Sequence, residues 1–182
     1  NVIAVHPSFP ARDYKAFVSA LSSNPGKYSF ATAGNGSVGH LLGELFKRSA
    51  QVYVTHIPYR GSGPALNDVL GNQVPSAFIA LAVVAPHVKA GKLKLLAVGS
   101  PQRASAYPDL PTLAESGLPG FDADSIFGFF APGATPPAVV NQLHDEINKA
   151  LATPRVTAAI KALGAEPMIA SRQAFIDRST AD

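Results

Sequence analysis

The chain contains no cysteine. That excludes disulfides and thiolate metal sites, and it suits an exported protein as readily as a cytosolic one. Only 15% of its 182 residues are charged, with a net charge of +3. No block of lysine or arginine gathers that charge, so the clustered basic face needed to track nucleic-acid phosphates is missing. The five histidines are scattered, with neither H-E-x-x-H nor any paired metal spacing. The most apolar run, Phe78 to Ala85, falls far short of the roughly 20 residues of a membrane span. There is no internal repeat and no low-complexity segment. The first residues, Asn1 to Val5, read as the middle of a strand, with no initiator methionine and no signal-peptide pattern. The expectation is a fragment or a processed product.

What is present is a globular composition, 47% apolar, long enough for one substantial core or one domain plus part of another. Val2 to Val5 is a short apolar strand. In the segment from Asp13 to Leu21, Tyr14, Phe17, Val18 and Leu21 share one helix face. Tyr28 to Thr32 reads as the second strand. After it, Val38, Leu41, Leu42, Leu45 and Phe46 repeat at helical spacing, with Ser37 in the N-cap position. Strands are predicted at Val52–Pro58, Val74–Ile79 and Leu93–Val98, and helices at Pro64–Leu70 and Val83–Ala90, the latter despite Pro86. Pro101 to Phe121 reads as irregular and Ser125 to Ala131 as extended. Thr135-Pro136-Pro137, Pro154 and Ser171-Arg172 each open a further helix. Alternating strands and helices predict an α/β sheet with parallel strands, covered on both faces. The closing helices have no strand of their own, and their apolar faces call for a partner.

The organising stretch is Tyr28 to Leu42, a strand, a glycine loop and a helix start. Gly34-Asn35-Gly36-Ser37-Val38-Gly39 satisfies G-x-G-x-x-G. A dinucleotide site would need an acidic residue at the end of the next strand, and His56-Ile57-Pro58-Tyr59 carries none. No Lys-Ser/Thr follows the glycines, so a P-loop is excluded. A nucleophile elbow needs G-x-S-x-G, but Asn35 stands two residues before Ser37. Two readings remain open on the residues alone. The glycines are either a packing turn, or a small-anion site in which Thr32, the Ser37 hydroxyl and the N–H groups of Gly36 to Gly39 surround a carboxylate.

Four segments in order, FATAGNGSVGHLLGELFKRSA, HIPYRGSGPALNDVLGNQV, GKLKLLAVGSPQRASAYPDLPTLAESGLPGF and FGFFAPGATPP, closely resemble the Bug-type receptors of tripartite tricarboxylate transporters. The resemblance runs from Val2 to about Phe175. It implies a type II periplasmic binding protein fold, with residues 1–128 as the second, ligand-binding α/β domain. Residues 129–182 would be the crossover and helices of an incomplete first domain. It implies no enzyme, no cofactor and no metal, but a periplasmic protein that binds a dicarboxylate, tricarboxylate or amino acid and delivers it to a membrane permease. The ligand-facing positions carried over are Thr32, Ala33, Gly34, Asn35, Gly36, Ser37, His40, Tyr59, Phe78, Ile79 and Ala80. Ile79 replaces an aspartate frequent in relatives, and Ile126 replaces a tryptophan. A less polar pocket and altered hinge packing are expected. The unpartnered helices predict a possible dimer, and the isolated chain is expected to bind its solute weakly. The alternative class is the effector-binding module of a cytosolic transcription regulator.

Overall fold

The computed structural model describes residues 1–124 and 126–181, in two compact units, Asn1–Ser125 and Ile126–Asp182. The first unit holds β1 (Val2–Val5), α1 (Tyr14–Ser23), β2 (Ser29–Thr32), α2 (Val38–Ala50), β3 (Thr55–Pro58), α3 (Ser62–Leu70), β4 (Ser76–Ile79), α4 (Leu81–Lys89) and β5 (Lys94–Val98). The second holds α5 (Pro137–Leu151), α6 (Pro154–Ala162) and α7 (Arg172–Ala181). Residues 126–131, expected to be extended, join no strand, and Ser125 lies outside the described residues.

The five strands form one sheet in the order β3-β2-β4-β1-β5. β2 runs parallel to β3 and β4, but β1 runs antiparallel to both β4 and β5. The sheet is therefore mixed: it has the expected parallel strands, with β1 antiparallel among them. A four-residue run such as Val2–Val5 carries no mark of its direction, because a strand buried on both faces is apolar at every position. Side chains alternate between the faces. Ile3, Val5, Phe30, Phe78 and Leu96 meet Phe17 of α1 and Leu42 and Phe46 of α2 on one side. Val2, Ala4, Ala31, Ala77 and Ile79 meet Leu66 and Val69 of α3 and Val84 of α4 on the other.

Two strands start later than their apolar runs predict, because the preceding helix ends by borrowing the first residues. Val52 N–H donates to Lys47 O after Gln51 takes a left-handed conformation, φ 53°. Gln73 and Val74 N–H both donate to Asp68 O. At the start of α5 the N-cap is Pro136, one residue beyond Thr135, whereas Ser171 Oγ caps α7 by accepting from Ala174 N–H.

The chain steps from β2 outward to β3 and then back past β2 to β4. A right-handed crossover in each direction puts α2 and α3 on opposite faces, as their packing partners show. α2 after β2 and α4 after β4 likewise leave their neighbouring strands to opposite faces. Such a reversal opens a crevice beyond the carboxyl ends of β2 and β4, where open α/β sheets take their ligands.

Candidate functional site

The glycine loop sits at that crevice. Gly34 and Gly36 have φ of 136° and 76°, conformations that a side chain would strain. Ser37 closes the loop: its N–H and its hydroxyl both donate to Gly34 O, at 3.2 and 2.7 Å. Its Oγ also accepts the His40 N–H, capping α2. The third glycine of the pattern has a different task. A Cβ on Gly39 would lie 2.1 Å from Phe78 O, and one on Gly43 would lie 2.4 Å from the Phe30 ring. These two glycines, one turn apart, let α2 lie directly on β2 and β4.

Backbone donors at the loop divide into two kinds. Gly36 N–H turns inward to His40 Nδ1 at 3.1 Å, and Gly34 N–H to Thr32 Oγ1 at 3.2 Å. The N–H groups of Asn35, Val38 and Gly39 have no acceptor among the described residues. The expected convergence of all N–H groups from Gly36 to Gly39 is thus corrected, since the Gly36 and Ser37 donors are spent on holding the loop. α3 and α4 also begin at this edge, after Gly61 and Ala80, without a side-chain cap. None of α2, α3 and α4 has an acidic residue in its first turn. Three positive helix ends therefore face one edge without a carboxylate of their own.

Of the residues proposed from the sequence, Ala33, Gly34, Asn35, Gly36, Ser37, His40, Tyr59 and Ala80 are at least partly exposed at or beside this edge. Thr32, Phe78 and Ile79 are buried, at 0%, 0% and 2% exposure. The Thr32 hydroxyl is engaged by Gly34 and by His56 Nε2 at 2.7 Å. Phe78 packs edge-on to Phe30, and Ile79 lies in the opposite core layer. Their side chains hold the edge rather than line it. The Tyr59 hydroxyl donates to Asp68 at 2.6 Å. Burial first, and then that bond, push its pKa up to about 12.

Sequence reasoning left His56 without a role. It stacks on His40 at 4.4 Å and on Phe30 at 5.0 Å, and burial, with His40 nearby, holds its pKa below the ordinary value. The parallel register that pairs Phe30 with His56 is the signal that would have found it. A surface cleft of about 480 Å³, lined by Tyr14, Leu95, Tyr107 and Leu110, contains none of the predicted site residues.

An α/β unit whose strand-reversal crevice carries free amides and three uncompensated helix starts has the donor chemistry that suits an anion. Nothing in the loop supplies a nucleophile, since the Ser37 hydroxyl is committed to Gly34 O. The chain belongs to the tripartite tricarboxylate transporter family receptors, whose profile matches residues 1–180. This family consists of receptors rather than enzymes. The chain is 40% identical over 165 residues to the "UPF0065 protein in tcbD-tcbE intergenic region" of Pseudomonas sp. (strain P51), covering 90% of this chain and 49% of that one. It is 36% identical over 170 residues to the protein BugT of Bordetella pertussis, covering 93% of this chain and 52% of that one. It spans about half the length of these curated relatives. Among solved structures, R. palustris Rpa4515 with adipate superposes at a TM-score of 0.95 and 32% identity, over 100% of this chain and 60% of that one. MatC (Rpa3494) from Rhodopseudomonas palustris with bound malate gives 0.78 and 31%, over 91% and 56%.

Proposed function

We propose that this chain supplies one wall of a small-carboxylate site in a periplasmic solute receptor, and that the receptor hands its ligand to the membrane permease of a tripartite tricarboxylate transporter. The observation that carries the reading is the convergence of three helix N-termini without acidic residues on the crevice beyond β2 and β4. Neutral amides fixed in this way stabilise a carboxylate without a salt bridge and release it readily to water. The two R. palustris structures, one with adipate and one with malate, support a linear dicarboxylate as the ligand class. The ligand-facing groups in this reading are the amides of Asn35, Val38 and Gly39, the Asn35 side chain, Ala33, Tyr59 and the start of α4 at Ala80. Closure of a second domain over this wall completes the site, so the isolated chain binds its solute weakly. The half-exposed Val139 and Leu143 of α5 favour self-association of the chain, which light scattering would test.

Asn35 is exposed and its side chain has no hydrogen-bond partner among the described residues. Asn35→Asp keeps the shape and adds a negative charge at the loop tip. Calorimetric titration of the full receptor with adipate and malate is expected to show the affinity reduced about tenfold or more, with an unchanged melting temperature. Equal affinity in the two proteins, or a preference for diamines over dicarboxylates, would overturn the reading.

A further inference from the structure

Beneath the loop lies a pair of imidazoles that the carboxylate reading does not use. His40 projects from the first turn of α2 and His56 from β3, with ring centroids 4.4 Å apart and planes 21° from parallel. Each ring holds one of the two loop glycines. His40 Nδ1 accepts the Gly36 N–H at 3.1 Å. His56 Nε2 meets Thr32 Oγ1 at 2.7 Å, and the same hydroxyl accepts the Gly34 N–H at 3.2 Å. A backbone N–H can only donate, so His40 Nδ1 must be bare and the ring neutral in this arrangement.

We propose that His40 and His56 form a proton-operated latch, which keeps the loop in its cradle shape while both rings are neutral and releases it when His40 is protonated. The physiological sense of the latch, capture at neutral pH and release in acid, rests on the carboxylate reading above. Protonation puts an N–H on Nδ1 facing the Gly36 N–H, donor against donor. It also sets a cation 4.4 Å from a second imidazole that then resists charging. Few charged groups surround the pair. Glu44 and Lys47, the charged residues of α2 nearest the pair, are bonded to each other at 2.9 Å and act on His56 in opposite directions, Glu44 favouring its charged form and Lys47 opposing it. β2 brings Phe30 and Thr32 to the pair and β4 brings Phe78 behind Phe30, none of them charged. On β3 the titratable residue is His56 itself. Burial already holds the His56 pKa below its ordinary value. Gly36 stands at φ 76° with its N–H committed inward, so loss of the His40 acceptor frees the peptide to rotate.

Asparagine places an amide oxygen close to where Nδ1 sits but does not titrate, so His40→Asn keeps the bond and removes the switch. In ¹⁵N spectra of the chain, the Gly36 and Gly34 amides are expected to shift in step with the His40 ring titration and to stay flat in His40→Asn. In the full receptor, adipate affinity is expected to be about tenfold weaker at about pH 5 than at about pH 7.5, and to vary less than about twofold in His40→Asn. A Gly36 amide indifferent to the His40 titration overturns the latch, and so does a pH slope that persists in His40→Asn. If adipate binds at no pH while the amides still follow His40, the carboxylate reading fails and the latch stands.

Discussion

Gly39 shows how one residue can serve both of the readings that its spacing leaves open. The G-x-G-x-x-G spacing places it among the anion donors, yet its missing side chain serves chiefly to let α2 touch the carbonyl of Phe78. Which of the loop amides are free depends on His40 and Thr32 reaching them from other elements, and no local spacing contains that information. A methyl group at position 39 must push helix and strand apart. Gly39→Ala is expected to cost about 1–3 kcal/mol in urea unfolding, with loss of ligand affinity because the loop moves with the helix. Ser37→Ala removes the α2 cap and the tie to Gly34 O and is expected to cost about 0.5–2 kcal/mol. Tyrosines give the residue scale a pH signature. Burial holds Tyr14, and burial with the Asp68 bond holds Tyr59, up to about 12 against an ordinary 10.0. Both are neutral in the fold, so the stability they contribute is complete below pH 10 and is lost as the pH rises from 10 through 12. Phenolate absorbance is expected to show these two of the five tyrosines ionising late, together with unfolding.

At the scale of elements, helices were legible wherever apolar residues recur every three or four positions, and α2 is the strongest case. Strand positions were legible from short apolar runs, but strand starts and the direction of β1 were not, since both are decided by partners distant in sequence. The long irregular stretch after β5 illustrates order without regular structure. Thr112 and Glu115 exchange reciprocal hydrogen bonds between side chain and backbone, and Arg103 clasps Glu115 at 2.9 Å while reaching Pro108 O. The backbone bond from Thr112, then the Arg103 contact, holds the Glu115 carboxyl below its ordinary range. The clasp is therefore present at neutral pH and lost as pH falls through that lowered value. Glu115→Ala is expected to expose the segment between Pro101 and Pro111 to limited proteolysis, while the far-ultraviolet circular dichroism of the sheet and helices stays unchanged.

At the scale of the whole molecule, both core layers lie within Asn1–Ser125, whereas α5 and α6 contain no buried residue. The first unit has a sheet closed on both faces and should stand alone; in the second, α5 and α6 are amphipathic without a buried residue. Expressed separately, residues 1–125 are expected to melt cooperatively, and residues 126–182 to show weak helicity without a transition. The apolar stripe of α5 was legible in its sequence, because its apolar residues recur at helical spacing.

The antiparallel β1 precedes in the chain both of the strands that enclose it. It sits between β4 and β5, so Val2 must wait for Ile79 and Val98 before its backbone is paired on both sides. Until β4 and β5 are made, the apolar Val2–Val5 is a two-edged template whose partners in this sheet are not yet present. Closing so long a loop late makes folding slow. β1 cannot be paired on both sides until β5, about a hundred residues further along, has been made.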